Sequence, residues 1–200
     1  MEKEAMYKLG YGLYVLTAKD EKDNGCIVNT AMQITTTPNR IIVTVNKGNF
    51  THDIIQKTGE FNLSVIAENA SFQLFQHFGF QSGREVDKFA DFSACGRAEN
   101  GLLYVTGGTN AYISGRVAEK VDCGTHTMFI ADVTDARVLS QEKSATYDYY
   151  QSNIKPRPEK SEKKGYRCKI CGYIYEGDEL PEDFVCPICK HGAADFEKIG

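Results

Sequence analysis

Tyr166-Arg-Cys168-Lys-Ile-Cys171-Gly-Tyr-Ile-Tyr175, followed ten residues later by Cys186-Pro-Ile-Cys189, decides how this 200-residue chain divides and folds. Two Cys-x-x-Cys pairs 14 residues apart offer four thiolates at the spacing of a tetrahedral metal site. A segment of about 35 residues buries too little apolar surface to hold itself folded, so metal binding would supply much of its folding free energy. All-sulfur ligation suits zinc and iron alike, and spacing alone does not choose between them. The other three cysteines, Cys26, Cys95 and Cys123, are scattered and read as small apolar fillers.

Working outward, Gln151-Ser-Asn-Ile-Lys-Pro-Arg-Pro-Glu-Lys-Ser-Glu-Lys-Lys-Gly165 has two prolines, five basic residues against two acidic ones, and almost nothing apolar. That is the composition of a flexible linker. The chain therefore divides into residues 1–150, a tether at 151–165 and a small domain at 166–200. Both flanking domains are acidic, with 14 basic against 18 acidic residues in the first and four against seven in the last. The net charge of −4 argues against general nucleic-acid binding, which would show a clustered Lys/Arg excess. No apolar run approaches the roughly 20 residues of a membrane span, and Met1-Glu2-Lys3-Glu4 lacks the pattern of a secretory leader. The expected compartment is the cytoplasm, where thiols stay reduced and free to bind metal.

Residues 1–150 read as mainly β. Arg40-Ile-Ile-Val-Thr-Val-Asn46 is rich in β-branched residues, as are stretches near 13–17, 61–66, 111–117 and 127–138. Asp23-Asn24-Gly25, Gly107-Gly108 and Cys123-Gly124 read as turns between them. One helix is expected with Thr51 as N-cap, Phe50 stapled onto Ile55 and Gly59 as stop. A second is expected from Asn69 to Phe78, stopping at Gly79. Many short strands with helices inserted suggest a β-barrel. The Tyr147-Asp-Tyr-Tyr150 cluster is expected to pack on it.

The residues around the C-terminal cysteines resemble a rubredoxin, and more closely the rubredoxin-type tail of rubrerythrins: Cys171-Gly-Tyr, Cys186-Pro-Ile-Cys189 and the aromatics Tyr166, Tyr173, Phe184 and Phe196 match. The resemblance implies a single iron held by Cys168, Cys171, Cys186 and Cys189, a saturated site that exchanges one electron and binds no substrate. A structural zinc ribbon is the alternative. The seven acids of the tail, Glu176, Asp178, Glu179, Glu182, Asp183, Asp195 and Glu197, would form a negative face for a basic partner or a plainly solvated surface.

The first domain has no Gly-x-Gly-x-x-Gly after a strand, which argues against a Rossmann site. Its Asn24-Gly-Cys-Ile-Val-Asn-Thr-Ala-Met-Gln-Ile-Thr35, Asn46-Lys-Gly-Asn-Phe-Thr-His52, Asp87-Lys-Phe89 and Gly124-Thr-His-Thr-Met-Phe129 resemble, in order and spacing, the flavin reductase family of FMN-binding split barrels. The resemblance implies a split β-barrel that binds FMN, forms a homodimer and is reduced by NAD(P)H. Asn29, Thr30, Ala31, Gln33 and Thr35 would meet the polar edge of the flavin ring. Asn46, Lys47, Thr51, His52 and Lys88 would lie around its phosphate, because a helix N-terminus and cations attract an anion. His126 would sit near flavin and nicotinamide as the catalytic candidate, although Thr125 stands where the family usually has an acid. A satisfied structural histidine is the plainer reading of His126. His52, His77 and His191 read as helix-start, helix-surface and turn residues.

The two parts together resemble the high-molecular-weight rubredoxins. The resemblance implies a relay from NAD(P)H through FMN to iron and on to an external acceptor, a diiron flavoprotein that reduces oxygen or nitric oxide. Two alternatives stand beside it: a flavin or ferric reductase with an accessory tail, and a flavin-binding module carrying a zinc ribbon.

Overall fold

The computed structural model describes residues 2–156, 165–170, 172–187 and 191–199. Cys171, Cys189 and most of the expected tether lie outside the described residues. The first domain contributes β1 (Tyr14–Lys19), β2 (Asp23–Val28), β3 (Ala31–Thr36), β4 (Asn39–Asn46), helix α1 (Phe50–Thr58), β5 (Glu60–Ile66), helix α2 (Phe72–Gly79), the short pair β6 (Cys95–Arg97) and β7 (Leu103–Val105), and the long hairpin β8 (Thr109–Asp122) with β9 (His126–Val138). A final turn of helix, α3 (Tyr147–Tyr149), continues as a π-helical turn over Tyr150–Ile154.

Seven strands form one antiparallel sheet in the order β2-β1-β5-β8-β9-β4-β3. Side chains from its distant members share one core: Cys26 and Val28 of β2 pack with Ile41 and Val43 of β4, around Leu16, Phe61, Leu63 and Phe129. Only a sheet curled on itself brings these together, and Ile54 and Ile55 of α1 belong to the same cluster. The strands β4 and β9 alternate buried and less buried residues, as period-two strands with one covered face do. β1 is instead buried on both faces. Leu16 and Ala18 point into the barrel, while Leu13 and Val15 meet a second cluster built by Leu74, Phe75 and Phe78 of α2 together with Tyr150.

The mainly β reading and the barrel agree with the structure, but several local expectations are corrected. Asp23-Asn24-Gly25 is strand, not turn: Thr17 pairs with Gly25 in the β1–β2 ladder and Asn24 is buried. α1 begins at Phe50 after Asn49, so Thr51 is inside the first turn and Phe50 is no staple before a cap. The Thr51 hydroxyl bonds the Asn24 side chain at 3.1 Å rather than its own helix end. Gly59 does end that helix, in the left-handed conformation. α2 is shorter at its start than expected and includes Gly79, leaving Phe80 as its cap residue. Cys26 is buried as a filler should be, whereas Cys123 is exposed at the β8–β9 turn. The helical segment of Tyr147–Ile154 runs four residues into the stretch that composition marked as tether.

The small domain is a three-stranded sheet in the order β11-β10-β12, with β10 at Gly165–Cys168, β11 at Ile174–Tyr175 and β12 at Phe196–Ile199. Its core holds Cys168, Cys186 and Phe196, packed by Tyr166, Tyr173, Tyr175 and Phe184. The Phe184 ring lies edge-on to Phe196 at 5.3 Å and tilted against Tyr175 at 4.7 Å. Four of these five aromatics are those the sequence singled out, with Tyr175 added by the β10–β11 pairing.

Candidate functional site

A groove of about 340 Å³ opens where α1, β2 and the end of α2 meet, lined by Asn24, Thr51, Gly79, Gly83 and Lys88 among others. The first turn of a helix carries backbone N–H groups without intrahelical partners, and α1 presents that end to the groove. Lys88 adds its side-chain amine to the same lining. Its side chain is only 3% exposed, and Nζ donates to Gly25 O and Phe78 O, each at 2.9 Å. Among the described residues no carboxylate pairs with it. Burial pushes its pKa below that of an ordinary lysine, while the nearby Cys26 thiol is itself pushed up by burial and stays neutral. A buried cation satisfied only by carbonyls, beside a helix start, is the chemistry of a site that accepts an anion.

The loop closing this end is pinned from two sides. Asn24 Nδ2 donates to Gly83 O at 3.3 Å, and a Cβ at Gly83 would stand 2.0 Å from that same nitrogen, so a larger residue would have to displace the Asn24 side chain. Arg84 reaches over the Phe50 ring and donates to Asp53 at 2.5 Å. The opposite carboxylate oxygen of Asp53 accepts from His52 Nδ1 at 3.0 Å, and His52 Nε2 lies 2.9 Å from the Thr127 hydroxyl. His52 is therefore a buried brace between α1 and β9. Asn24 and Asp87 begin stretches that carry the family resemblance, but neither Asn24 nor the 81–87 loop is a site candidate by sequence; Asn24 reads as a turn residue, and the loop has no periodicity to mark it.

The groove continues into a second chamber of about 460 Å³, sharing Ile27, Gly79 and Phe80 with the first and reaching Asn29, Phe75 and Tyr150. The far wall of this chamber includes Lys169 and Ile170, the two residues between Cys168 and Cys171. Burial and the neighbouring Tyr147 push the Tyr150 phenol up to about 12, so it stays neutral.

The expected flavin residues are distributed over three places. Thr51 and Lys88 lie at the helix end of the groove and Asn29 in its second chamber, where the Thr30 hydroxyl bonds the Asn29 side chain at 3.1 Å. Ala31 and Gln33 border a different, apolar cavity of about 380 Å³ with Tyr14, Met32 and Val133, and the Gln33 amide donates to Asn39 across the β3–β4 hairpin, with Thr35 half-buried on the same strand. Asn46, Lys47 and His126 gather at the β4–β9 end: Asn46 pairs with His126 in the ladder and its side chain accepts from Gly48 N at 2.8 Å. Lys47 is engaged with Asp122 at 2.8 Å, which holds that carboxyl below its usual range. His126 Nδ1 lies 2.9 Å from the Thr125 hydroxyl, so the threonine replaces the carboxylate partner with a neutral one. His77 is more than a surface residue: Nε2 meets Lys88 O at 2.6 Å and its ring stacks on Phe92.

In the small domain the two knuckles are built alike. Cys168 N donates to Tyr173 O and Cys186 N to His191 O, both at 2.8 Å and both spanning five residues. Gly172 N closes the first turn onto Cys168 O at 2.9 Å, and Gly172 takes φ 82°, which favours glycine. Cys168 and Cys186 are fully buried in one cluster, although 18 positions apart in the chain. Paired turns that place two buried cysteines in one cluster fit a four-thiolate metal site completed by Cys171 and Cys189. Of the tail acids, Glu176, Asp178, Glu179, Glu182 and Asp183 are exposed, while Glu197 is engaged with Arg167 at 2.8 Å.

An anion-accepting groove on a split barrel, joined to a cysteine-knuckle metal domain, defines a two-domain redox protein. The comparisons with known proteins carry this to a family. Residues 6–157 match the family described as "Flavin reductase like domain", and residues 166–197 match "Rubrerythrin, rubredoxin-like domain". The chain belongs to the flavin reductase-like family and carries a C-terminal rubredoxin-like domain. It is 39% identical over 230 aligned positions, covering both chains completely, to the high molecular weight rubredoxin of Moorella thermoacetica. It is 36% identical over 152 residues, covering 75% of this chain and 89% of the relative, to a ferric-chelate reductase (NAD(P)H) of Archaeoglobus fulgidus. The barrel also superposes on the NADH:FAD oxidoreductase SgcE6 of Streptomyces globisporus with a TM-score of 0.65, at 19% identity over 72% of this chain and 85% of that one, a likeness of fold. The chain is thus a flavin reductase-type oxidoreductase with flavin-binding and rubredoxin-like iron domains. No helix among the described residues is long and apolar enough to cross a membrane.

Proposed function

We propose that this chain carries electrons from NAD(P)H through FMN to an iron bound by Cys168, Cys171, Cys186 and Cys189, and from there to a diffusing acceptor protein. The observation that carries this reading is the continuous groove: an anion site at α1 and Lys88 at one end, the Cys168 knuckle at the other. FMN accepts electrons in pairs and releases them singly, the conversion that a one-electron iron site requires of its donor. In this reading the start of α1, Thr51 and Lys88 hold the phosphate, with the pinned 81–87 loop excluding water over it. Asn29 and Thr30 orient the ring from the β2–β3 turn, while His126 lies with Asn46 and Lys47 at the β4–β9 end, apart from this groove. A diiron flavoprotein reducing oxygen or nitric oxide suits the single-electron output, and the exposed acids of the tail favour a basic docking face on that acceptor. The reading places the protein in the cytoplasm.

The same reading makes the protein a homodimer. Edge strand β3 exposes Met32 and Ile34, and the apolar cavity beside it is bordered by Tyr14, Val133 and Ala136. Apolar residues on an unpaired edge call for a cover, and a second copy supplies it symmetrically. Sedimentation at micromolar concentration is expected to give twice the monomer mass of 22.3 kDa; a monomer at all concentrations would refute this.

Anaerobic addition of NADH to the protein loaded with FMN and iron tests the relay. The flavin band and the ferric bands are expected to bleach together. Ferric bands that persist beside a fully bleached flavin would overturn it. A colourless knuckle domain after expression in iron-replete medium would instead favour the zinc alternative.

A further inference from the structure

The relay needs a place where the knuckle meets the groove, and the packing around α2 supplies one. Phe80, at the end of α2, belongs to the barrel by sequence yet packs against the cluster of Cys168, Cys186 and Phe196 in the small domain. Its ring is set by an edge contact with Phe72 at 5.8 Å, and Phe72 in turn stacks on Tyr150. Tyr150 is fixed against Phe75 at 4.4 Å and opens the π-helical turn whose end, Lys155, donates its N–H back to Tyr150 O at 2.8 Å. The seat is therefore built on rigid elements of the barrel. What meets it is the tip of the first knuckle, Lys169 and Ile170, in the chamber that also holds Asn29.

Resting on the relay reading, we infer that Ile170, which shares with Phe80 both the chamber wall and the packing around Cys168 and Cys186, marks the contact through which the iron knuckle takes electrons, and that Ile170 is a positioning residue for this transfer. Ile170 sits two residues from Cys168 and one from Cys171, so an apolar contact there brings the metal's own ligands to the groove with no polar side chain between. Lys155 and Lys169 share the chamber as like charges, which weakens the association. Weak docking suits a domain that must also meet an external acceptor. Each transfer moves one electron, turning the ferric site ferrous with no bond made or broken at sulfur. Two such transfers, with the external acceptor reoxidising the ferrous site after each, return the flavin to its oxidised form, and its protons pass to water.

Stopped-flow reduction of the full-length, FMN- and iron-loaded protein by NADH tests this, following flavin and iron bands separately. Ile170→Asp is expected to lower the ratio of iron to flavin reduction rates at least tenfold, while Ile170→Val restores it. The ferric spectrum before mixing shows whether each variant has loaded its metal. Iron reduction in Ile170→Asp as fast as in the unaltered protein would overturn the inference. If Ile170→Asp fails to load iron, Phe80→Ser is read as the ratio of iron to flavin reduction rates, and an unchanged ratio overturns it equally. Failure of the relay reading itself looks different: the unaltered protein would then bleach its flavin and never its iron.

Discussion

The barrel and the knuckle domain solve the same problem by different physics. The barrel closes around large side chains that are wholly out of water, Phe61, Phe129, Leu16 and Ile55 among them, and α1 and α2 cover the sheet from inside and outside. The knuckle domain fully buries only Cys168, Cys186 and Phe196 among its described apolar residues, and surrounds them with half-exposed aromatics. Burial can stabilise the first, while the second depends on what its sulfurs bind. The two should therefore fail independently and for different causes.

The largest effect is expected from Cys186→Ser. Structural four-ligand metal sites contribute on the order of 10 kcal/mol to folding, and a domain of this size has little else. The variant should lose the rubredoxin absorption and expose its tail to protease, while the barrel's melting transition stays in place. A barrel transition that moved with it would show the two domains to be one cooperative unit. The converse is Phe129→Ala, which empties a fully buried position and should cost the barrel about 3–5 kcal/mol in denaturant titration. The iron spectrum should persist through that barrel transition.

A smaller effect separates the groove from both cores. Lys88→Met keeps the length and apolar stem of the side chain but removes the buried charge, and the loss of one charge-assisted contact to phosphate should weaken FMN about 10- to 100-fold. Riboflavin, which lacks the phosphate, should bind both forms alike by fluorescence quenching. Equal loss for the two ligands would place Lys88 in the architecture alone.

How much of this was readable beforehand follows the range of the interactions. The cysteine spacing, the β-branched strands and the stop at Gly59 are local, and sequence alone located them. The start of α1 was misplaced because Thr51 looks like a cap until Asn24, 27 positions earlier, takes its hydroxyl. Lys47 looked free for a phosphate, and only the β8–β9 hairpin brings Asp122 to it from 75 positions away. Lys88 is a phosphate-site candidate by sequence and lines the groove, but its burial under the carbonyls of Gly25 and Phe78 depends on how β2 and α2 cross. Phe80 was hidden among helical aromatics, since nothing in a single stripe says which ring faces a second domain.

The smallest expected effect is a pH dependence confined to the groove's closing loop. Hydrogen bonds from His52 first, and then Arg84, hold the Asp53 carboxyl below its ordinary range. A carboxylate whose folded pKa is depressed gives its full stabilisation above the unfolded value of about 3.9, and loses it as pH falls through the folded value. Acid should therefore release Arg84 from α1 before it disturbs either core. The Asp53 side chain is 45% exposed, so solvent screening holds the Arg84 link to at most about 1 kcal/mol. Protease cleavage within residues 81–87 should rise modestly as pH drops below about 4, and Arg84→Met should show the raised rate already at pH 7. An Arg84→Met loop that is cleaved no faster than the unaltered one at pH 7 would mean that the Asn24–Gly83 contact alone pins the loop and that the ion pair merely lies over it.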